Sequence, residues 1–404
     1  MKFIKLCLKF YKRVRLPALL LMTVLFIAQL VFVYFTGIYR YCIYTEQKLT
    51  DAHIDQSVYV MYMNNPFDVI YAGETLKLQN QIKTMPGVKD ILAYKRFLGS
   101  TYQGTEQGIL FYNDSFLSFF TMDEYGTEVF SDTGLDHNRV QCIAVGPLYD
   151  QLKIGETFPL SIGQKQVQAV LTGRVEYPYY YPTFSKSSSK LTADDLFTAF
   201  EGNTLLFKET AQTLDYTGIK QDALLSGCDF FMIFDQEASE AEKESCLDAV
   251  YEQGYTTVSY QELMANTKEH TQKKTAEHLP FPLYLTVTAA VSFLCMAILF
   301  VHKKMEDFAV YYLCGCSRRK SYAVMVCSLS FIGFAAGLIS SAVTAFYPYL
   351  GRKYGFYILY SIIDRKSLLF ILGYFGLVLL ISLLVPFLLY RKKTTIELKR
   401  RFES

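Results

Sequence analysis

Charge is missing from four long stretches of this chain, and those gaps set the first limit on what it can be. Leu16 to Tyr39, Leu279 to Val301, Ser321 to Gly351 and Ser367 to Tyr390 contain no Asp, Glu, Lys or Arg. Each exceeds the roughly 20 apolar residues that cross a hydrocarbon core. Acid is therefore absent from every candidate span, which leaves an ion or proton relay of the secondary-transporter kind without a carrier. Histidine is scarce, with five scattered residues in 404. No His-Glu-x-x-His motif occurs, and no Gly-x-x-x-x-Gly-Lys-Ser/Thr loop that would cradle nucleotide phosphates. His270, Glu277 and His278 could share one helix face as metal ligands, but solvated stalk residues are the reading we take. Cys314-x-Cys316 is too tight for a zinc knuckle. We expect no catalytic residue, no cofactor and no metal site, and any ATP hydrolysis to come from another subunit.

Nine cysteines in a chain of 404 residues do not make a disulfide scaffold. Cys7, Cys295, Cys314, Cys316 and Cys327 lie in or beside the spans, where they serve as small apolar residues. Cys42, Cys142, Cys228 and Cys246 fall between the first two spans. A Cys228–Cys246 bridge and buried free thiols are both compatible with that placement.

Mean hydropathy is +0.17 and 51% of residues are hydrophobic, which is high for a soluble protein of this length. The first run is too long for a signal-peptide core and lacks a small-residue cleavage site, so it reads as a retained helix. Positive loops stay cytoplasmic. Residues 1–15 carry six Lys and Arg with no acid, 302–320 carries five, 352–366 four, and 391–404 six. Residues 40–278 hold 33 acidic against 19 basic residues, a net of −14, hidden inside an overall +2. The expectation is a multi-pass protein of the cell membrane with both termini cytoplasmic and a large domain outside. Lipid is then a partner, and nucleic acid is excluded because the basic residues are spent on topology.

The order along the chain follows. A basic juxtamembrane segment (1–15) precedes helix 16–39, and an extracytoplasmic domain (40–278) separates it from helix 279–301. A cytoplasmic loop (302–320), helix 321–347, an external loop (348–366), helix 367–390 and a tail (391–404) complete it. Within the domain, Gly73 to Met85 reads as a helix stopped by Pro86-Gly87, and Val88 to Tyr94 as a strand. Gly108 to Tyr112 and Val140 to Val145 are further strands. Lys153 to Val175 alternates about a hairpin at Gly163, which makes this middle part all-β. Tyr177 to Phe184 and Ser185 to Ser189 read as a flexible loop. After it come strand Asn203 to Phe207, strand Asp229 to Phe234, helix Ser239 to Gln253 stopped at Gly254, and strand Thr256 to Ser259. Glu262 to Ala276 reads as a charged helix running into the second span, fit to carry motion between membrane and domain. The Gly333, Gly337, Ser341 stripe lets a neighbouring helix approach closely, from this chain or from a second copy.

One segment is more specific. His302-Lys-Lys-Met-Glu306-Asp307 leads through an apolar stretch to Leu313-Cys-Gly315-Cys-Ser317-Arg318-Arg319-Lys320. It resembles the cytoplasmic loop of the FtsX-like permease family, with its basic start, Glu, Leu-x-Gly-x-Ser and basic exit. The order of one span, a large external domain and three spans is similar to that of MacB-like, type VII ABC transporter permeases. Ile82-Lys-Thr-Met-Pro86-Gly87-Val88 resembles the family's helix followed by a strand, Leu148 to Leu160 its later β segment, and Thr395 to Arg400 its closing motif.

The resemblance implies an α+β membrane protein: four transmembrane helices with a mixed α/β MacB-like periplasmic core domain, carrying an inserted β-rich subdomain, between helices 1 and 2. It also implies a cytoplasmic ABC ATPase subunit as partner, a second permease copy or paralogue, and mechanotransmission to the external domain. The cargo class would be a peptide, lipoprotein or other amphipathic substrate. A helix over 305–317 would dock on the ATPase, with Glu306, Asp307, Leu313, Gly315, Ser317, Arg318 and Arg319 as coupling residues. The rival class is a membrane sensor or scaffold that regulates a partner such as a cell-wall hydrolase without transport.

Overall fold

The computed structural model describes residues 15–62, 72–119, 130, 139–175, 180–184, 190–198, 203–220, 224–226, 229–313, 315, 317–354, 358 and 360–391. It divides into two compact units, one of residues 1–39, 274–351 and 361–404, and one of residues 40–273 and 352–360.

The first unit is built from helix α1 (Arg15–Asp51) as far as Tyr39, with α7 (Pro280–Leu313), most of α8 (Arg318–Tyr354) and α9 (Ser367–Arg391). Four helices among the described residues are long and apolar enough to cross a membrane, and the chain is a membrane protein. Their inner faces recur at three- and four-residue intervals: Ala18, Leu21, Leu25 and Ala28 on α1, and Ala289, Phe293, Ala297 and Phe300 on α7. That spacing puts small and large residues on one stripe, so the helices approach closely. The opposite faces leave Leu20, Leu299, Phe346 and Leu388 exposed, an arrangement that suits hydrocarbon and not water.

Helix α8 continues through Pro348 to Tyr354, whereas the sequence reading began an external loop at residue 348. A proline removes one backbone hydrogen bond, and here that loss falls in the last two turns, where it does not end the helix.

The second unit has two layers. Strands β13 (Tyr255–Ser259), β1 (Ser57–Tyr62), β12 (Phe230–Phe234) and β2 (Val88–Leu92) form an antiparallel sheet in that order. Phe230, Met232 and Phe234 pack on one face against Leu78 and Ile82 of α2 (Ala72–Lys83) and Val250 of α5 (Glu240–Glu252). Phe231 and Ile233 alternate to the other face. A strand buried on both sides carries no polar residue, and Phe-Phe-Met-Ile-Phe has none. Each such side chain contributes about 1.5–3 kcal/mol by burial. Helix α5 starts on a capping box in which Ser239 and Glu242 satisfy each other's backbone amides.

The second layer is a closed barrel of β3 (Tyr94–Tyr102), β4 (Thr105–Tyr112), β10 (Thr204–Lys208), β5 (Val140–Val145), β7 (Lys165–Val175) and β6 (Thr157–Ile162). Pairing of Ser100 and Thr101 with Ile162 and Ser161 closes it. Ile109, Phe111, Cys142, Leu171, Leu205 and Phe207 fill the inside. Leu110, Tyr112, Ile143 and Leu206 face out and join Tyr59, Phe231 and Ile233 in one core with the sheet. The hairpin expected at Gly163 is present, with Ile162 opposite Lys165. Cys142 and Cys246 are buried free thiols, so Cys246 forms no bridge; Cys228 lies outside the described residues.

Candidate functional site

Two places in the molecule gather exposed or cross-linking polar residues. The first is the turn between α7 and α8. Helix α7 runs to Leu313, and a short turn holding Gly315 at φ +82 leads to α8 at Arg318. The helix expected over 305–317 is therefore the last turns of α7. It stops because residue 315 adopts the left-handed conformation that ends helices and favours glycine. Ser317 then caps α8, its Oγ accepting the Lys320 amide at 3.4 Å while its carbonyl accepts the Ser321 amide at 3.1 Å. Gly315, Ser317, Arg319 and Lys320 are exposed, which presents a small, basic knob. The side chains of Glu306, Asp307, Leu313 and Arg318 lie outside the described residues.

Of the small-residue stripe, Gly333 faces this chain's own α9. A Cβ there would come 2.2 Å from Val378 Cγ1, whereas a Cβ on Gly337 would meet nothing within 4 Å. Ser341 is half-buried.

The second place is a strap, residues 180–184 and 190–198, inside the large unit. Tyr181 and Pro182 pair as a short strand, β8, with Thr198 and Phe197, β9, and the Thr183 amide donates to the Leu196 carbonyl at 2.8 Å. One end of the strap holds the last turns of α1. The Tyr41 hydroxyl donates to the Phe197 carbonyl at 3.3 Å, its ring lies 4.7 Å from that of Tyr180, and Thr45 Oγ1 donates to Asp194 Oδ1 at 2.8 Å. Burial, then the Asp194 carboxylate, push the Tyr41 hydroxyl well above its ordinary pKa, so it stays a donor.

The same strap holds α6 (Tyr260–His278). The Ala193 amide donates to Thr267 Oγ1 at 2.9 Å, His270 Nε2 lies 3.3 Å from Asp194 Oδ2, and Lys190 Nζ donates to Glu269 at 3.0 Å. Asp194 thus bridges two helices that are far apart in sequence. Phe184 anchors the strap below, its ring within 5.8 Å of the centroids of Tyr59, Tyr94, Phe116 and Phe231.

The histidines expected to be stalk residues have separate partners. His270 meets Asp194, and the His278 ring packs 5.7 Å from that of Phe35. No cluster of three or more metal-ligating side chains occurs among the described residues.

No protein-family model and no curated protein matches the chain. Solved structures do resemble it. The chain is similar to the extracytoplasmic parts of MacB-type permeases. The periplasmic region of MacB from Actinobacillus actinomycetemcomitans aligns over 54% of this chain and 94% of that one, at 7% identity and a TM-score of 0.32. The extracellular domain of the noncanonic ABC-type transporter YknZ from Gram-positive bacteria aligns over 50% and 99%, at 10% identity and a TM-score of 0.30.

The strap residues Tyr41, Thr45, Asp194 and Thr267 were not singled out from the sequence, and His270 was weighed only as a metal ligand or a solvated stalk residue. They are ordinary polar residues spread over three segments, and only folding brings them together. The tyrosines at 180 and 181 and Phe184, read as part of a flexible loop, are buried; their aromatic density was the available signal. Tyr177 to Tyr179 and Ser185 to Ser189 lie outside the described residues.

Proposed function

We propose that the chain is the permease subunit of an ABC transporter of the MacB/FtsX type. In this reading both termini are cytoplasmic and the inserted unit is extracytoplasmic. A cytoplasmic ATPase dimer docks beneath two permease chains, and its closure moves α1 and α6, so that the inserted unit acts on a peptide, lipoprotein or other amphipathic substrate. The observation that carries the reading is the Asp194 strap. A helix that enters from one span and a helix that leads to the next are hydrogen-bonded to one short segment, so a shift in either is felt by both. The exposed basic turn at 315–320 supports the docking end, as does the likeness of the 302–320 loop to the family's.

The reading is tested at the turn. Replacing Glu306 and Asp307 by Ala leaves membrane level unchanged, because acids contribute little to topology. It weakens co-purification of the ATPase or uncouples hydrolysis from substrate, because charged pairs at a docking surface govern register and association. Normal association and substrate-stimulated hydrolysis in that variant would leave the loop a connector, and hydrolysis by the purified chain alone would overturn the subunit assignment.

A further inference from the structure

Several hydroxyls in the membrane unit are satisfied by their own helix. Thr23, Thr36, Thr288 and Ser382 each donate to the carbonyl four residues back, at 2.8–3.0 Å, which serves where hydrocarbon offers no partner. Gln29 on α1, Thr286 on α7 and Tyr374 on α9 are different. Both polar atoms of the Gln29 carboxamide and the hydroxyls of Thr286 and Tyr374 are buried and make no hydrogen bond among the described residues. Gln29 is 1% exposed and Tyr374 7%. A polar group in that state is costly unless something pairs with it.

Packing brings these groups to one level. The Tyr34 and Gly37 carbonyls accept from Ser361 and Ile362, so α9 starts beside residues 34–37 and runs back along α1, with Val33 packed on Ile371. One turn back from Val33 is Gln29, and three residues on from Ile371 is Tyr374. A Cβ on Gly333 would meet Val378, and one turn along that antiparallel pair stand Gly337 and, again, Tyr374. Ala28, Ala289, Ala336 and Tyr374 belong to one buried cluster, and the Thr286 hydroxyl lies beside that of Tyr374. All four helices therefore meet in one layer. Gln29, Thr286, Gly337 and Tyr374 each lie within five residues of the middle of their charge-free run. The layer also has room, since Gly337 is buried yet a Cβ there would meet nothing within 4 Å.

The chemistry of the layer selects its occupant. A carboxamide offers two donors and an acceptor, and each hydroxyl both donates and accepts. None carries charge, and Asp and Glu are absent from all four runs, so a cation finds no counter-charge. What fits is a small neutral molecule that donates and accepts at once. Water does so, and an internal water makes about two to four hydrogen bonds in a polar site of its own size. We propose that Gln29, Thr286 and Tyr374 hold water at the centre of the bundle, in the space that Gly337 leaves, and that α1 is joined there to α7 and α9 through water. This goes beyond the permease reading and does not depend on it, because it is measured on the chain alone.

The full chain, labelled with 15N at glutamine and reconstituted in lipid bilayers, is studied by water-edited solid-state NMR. The Gln29 side-chain amide is assigned as the signal lost in Gln29→Leu. It should take up water magnetisation as readily as glutamines outside the spans, and its protons should exchange in D2O. Tyr374→Phe keeps the ring and removes one partner of the water, so transfer should slow by about twofold or more. Gly337→Leu, which fills the space, should abolish transfer to Gln29 while the other glutamine signals keep their positions. Gly337→Ala takes less of the same space and should reduce transfer where Leu disturbs those other signals. A Gln29 amide that receives no water magnetisation in the parent chain, or transfer unchanged in both Tyr374→Phe and the residue-337 variants, would overturn the site.

Discussion

Lys95 on β3 and Glu209 after β10 form an ion pair with the lysine side chain 8% exposed and the glutamate 17%. Taking two charges out of water is costly, and the pair persists because each partner compensates the other. Removing one leaves a buried charge, which costs about 3–5 kcal/mol. Glu209→Ala should therefore lower stability by that amount in chemical unfolding of the purified chain. Lys95→Met with Glu209→Leu should restore most of it, since neither charge is then buried. If the double change is as unstable as the single, the loss is one of shape and not of charge. Asp90 shows the opposite balance. Burial pushes its carboxyl pKa up, but hydrogen bonds from Ser115 and the Ile91 amide, with the Lys83 ammonium at 3.1 Å, outweigh burial and hold it below the usual carboxylate range. A group whose folded pKa is depressed gives stability that is fully present above its unfolded value, near about 4, and is lost as pH falls through the folded one. Asp90→Asn should flatten the acid limb of a stability-against-pH curve below about pH 4 while leaving the neutral limb parallel to that of the parent; an unaltered acid limb would mean that other carboxylates set it.

Elements with a strong local pattern were legible in the chain itself. The strand at 140–145, the helix after Ser239 and the hairpin at Gly163 all follow from alternation, a cap and a turn, which are features of adjacent residues. Strand β3 was not, because a register shift between Phe97 and Ser100 breaks the alternation, and the closure of the barrel by β6 joins residues some 60 positions apart. In the turn and the membrane unit, two glycines separate conformational from steric necessity. A Cβ on Gly315 would meet nothing within 4 Å, yet its φ is +82. Ala and Leu at 315 should therefore destabilise by a similar amount, about 1–2 kcal/mol, the cost of a left-handed L-residue. Gly333 has no such backbone constraint and a neighbour at 2.2 Å. There Ala should be tolerated less well than in open space and Leu far worse, with Val378→Ala recovering part of the Gly333→Ala loss. Thermal unfolding of these variants in detergent ranks them; a Leu at 315 much worse than an Ala would show that the turn is packed against something.

At the scale of the molecule the chain is two opposite charge populations sorted by four neutral spans. Residues 40–278 are net negative, and the short segments at 1–15, 302–320 and 391–404 are strongly basic. The count was readable without coordinates because topology is set by Lys and Arg near the ends of spans and not by any contact within the fold. The proposed topology puts Ser317, which caps α8 and is exposed, on the cytoplasmic side, and Ser187 on the other. The basic excess is repeated in three separate segments with an even number of spans between them, so moving one of them across would have to move all, while the external loop at 352–366 carries four Lys and Arg. Single cysteines at Ser187 and at Ser317, in a background lacking the nine native thiols, should respond differently to a membrane-impermeant maleimide. The Ser187→Cys chain should label in intact cells, and the Ser317→Cys chain only after permeabilisation. The reverse pattern would put the inserted unit in the cytoplasm, separate the basic turn from any cytoplasmic ATPase, and remove the permease reading together with the route by which α1 and α6 would be driven.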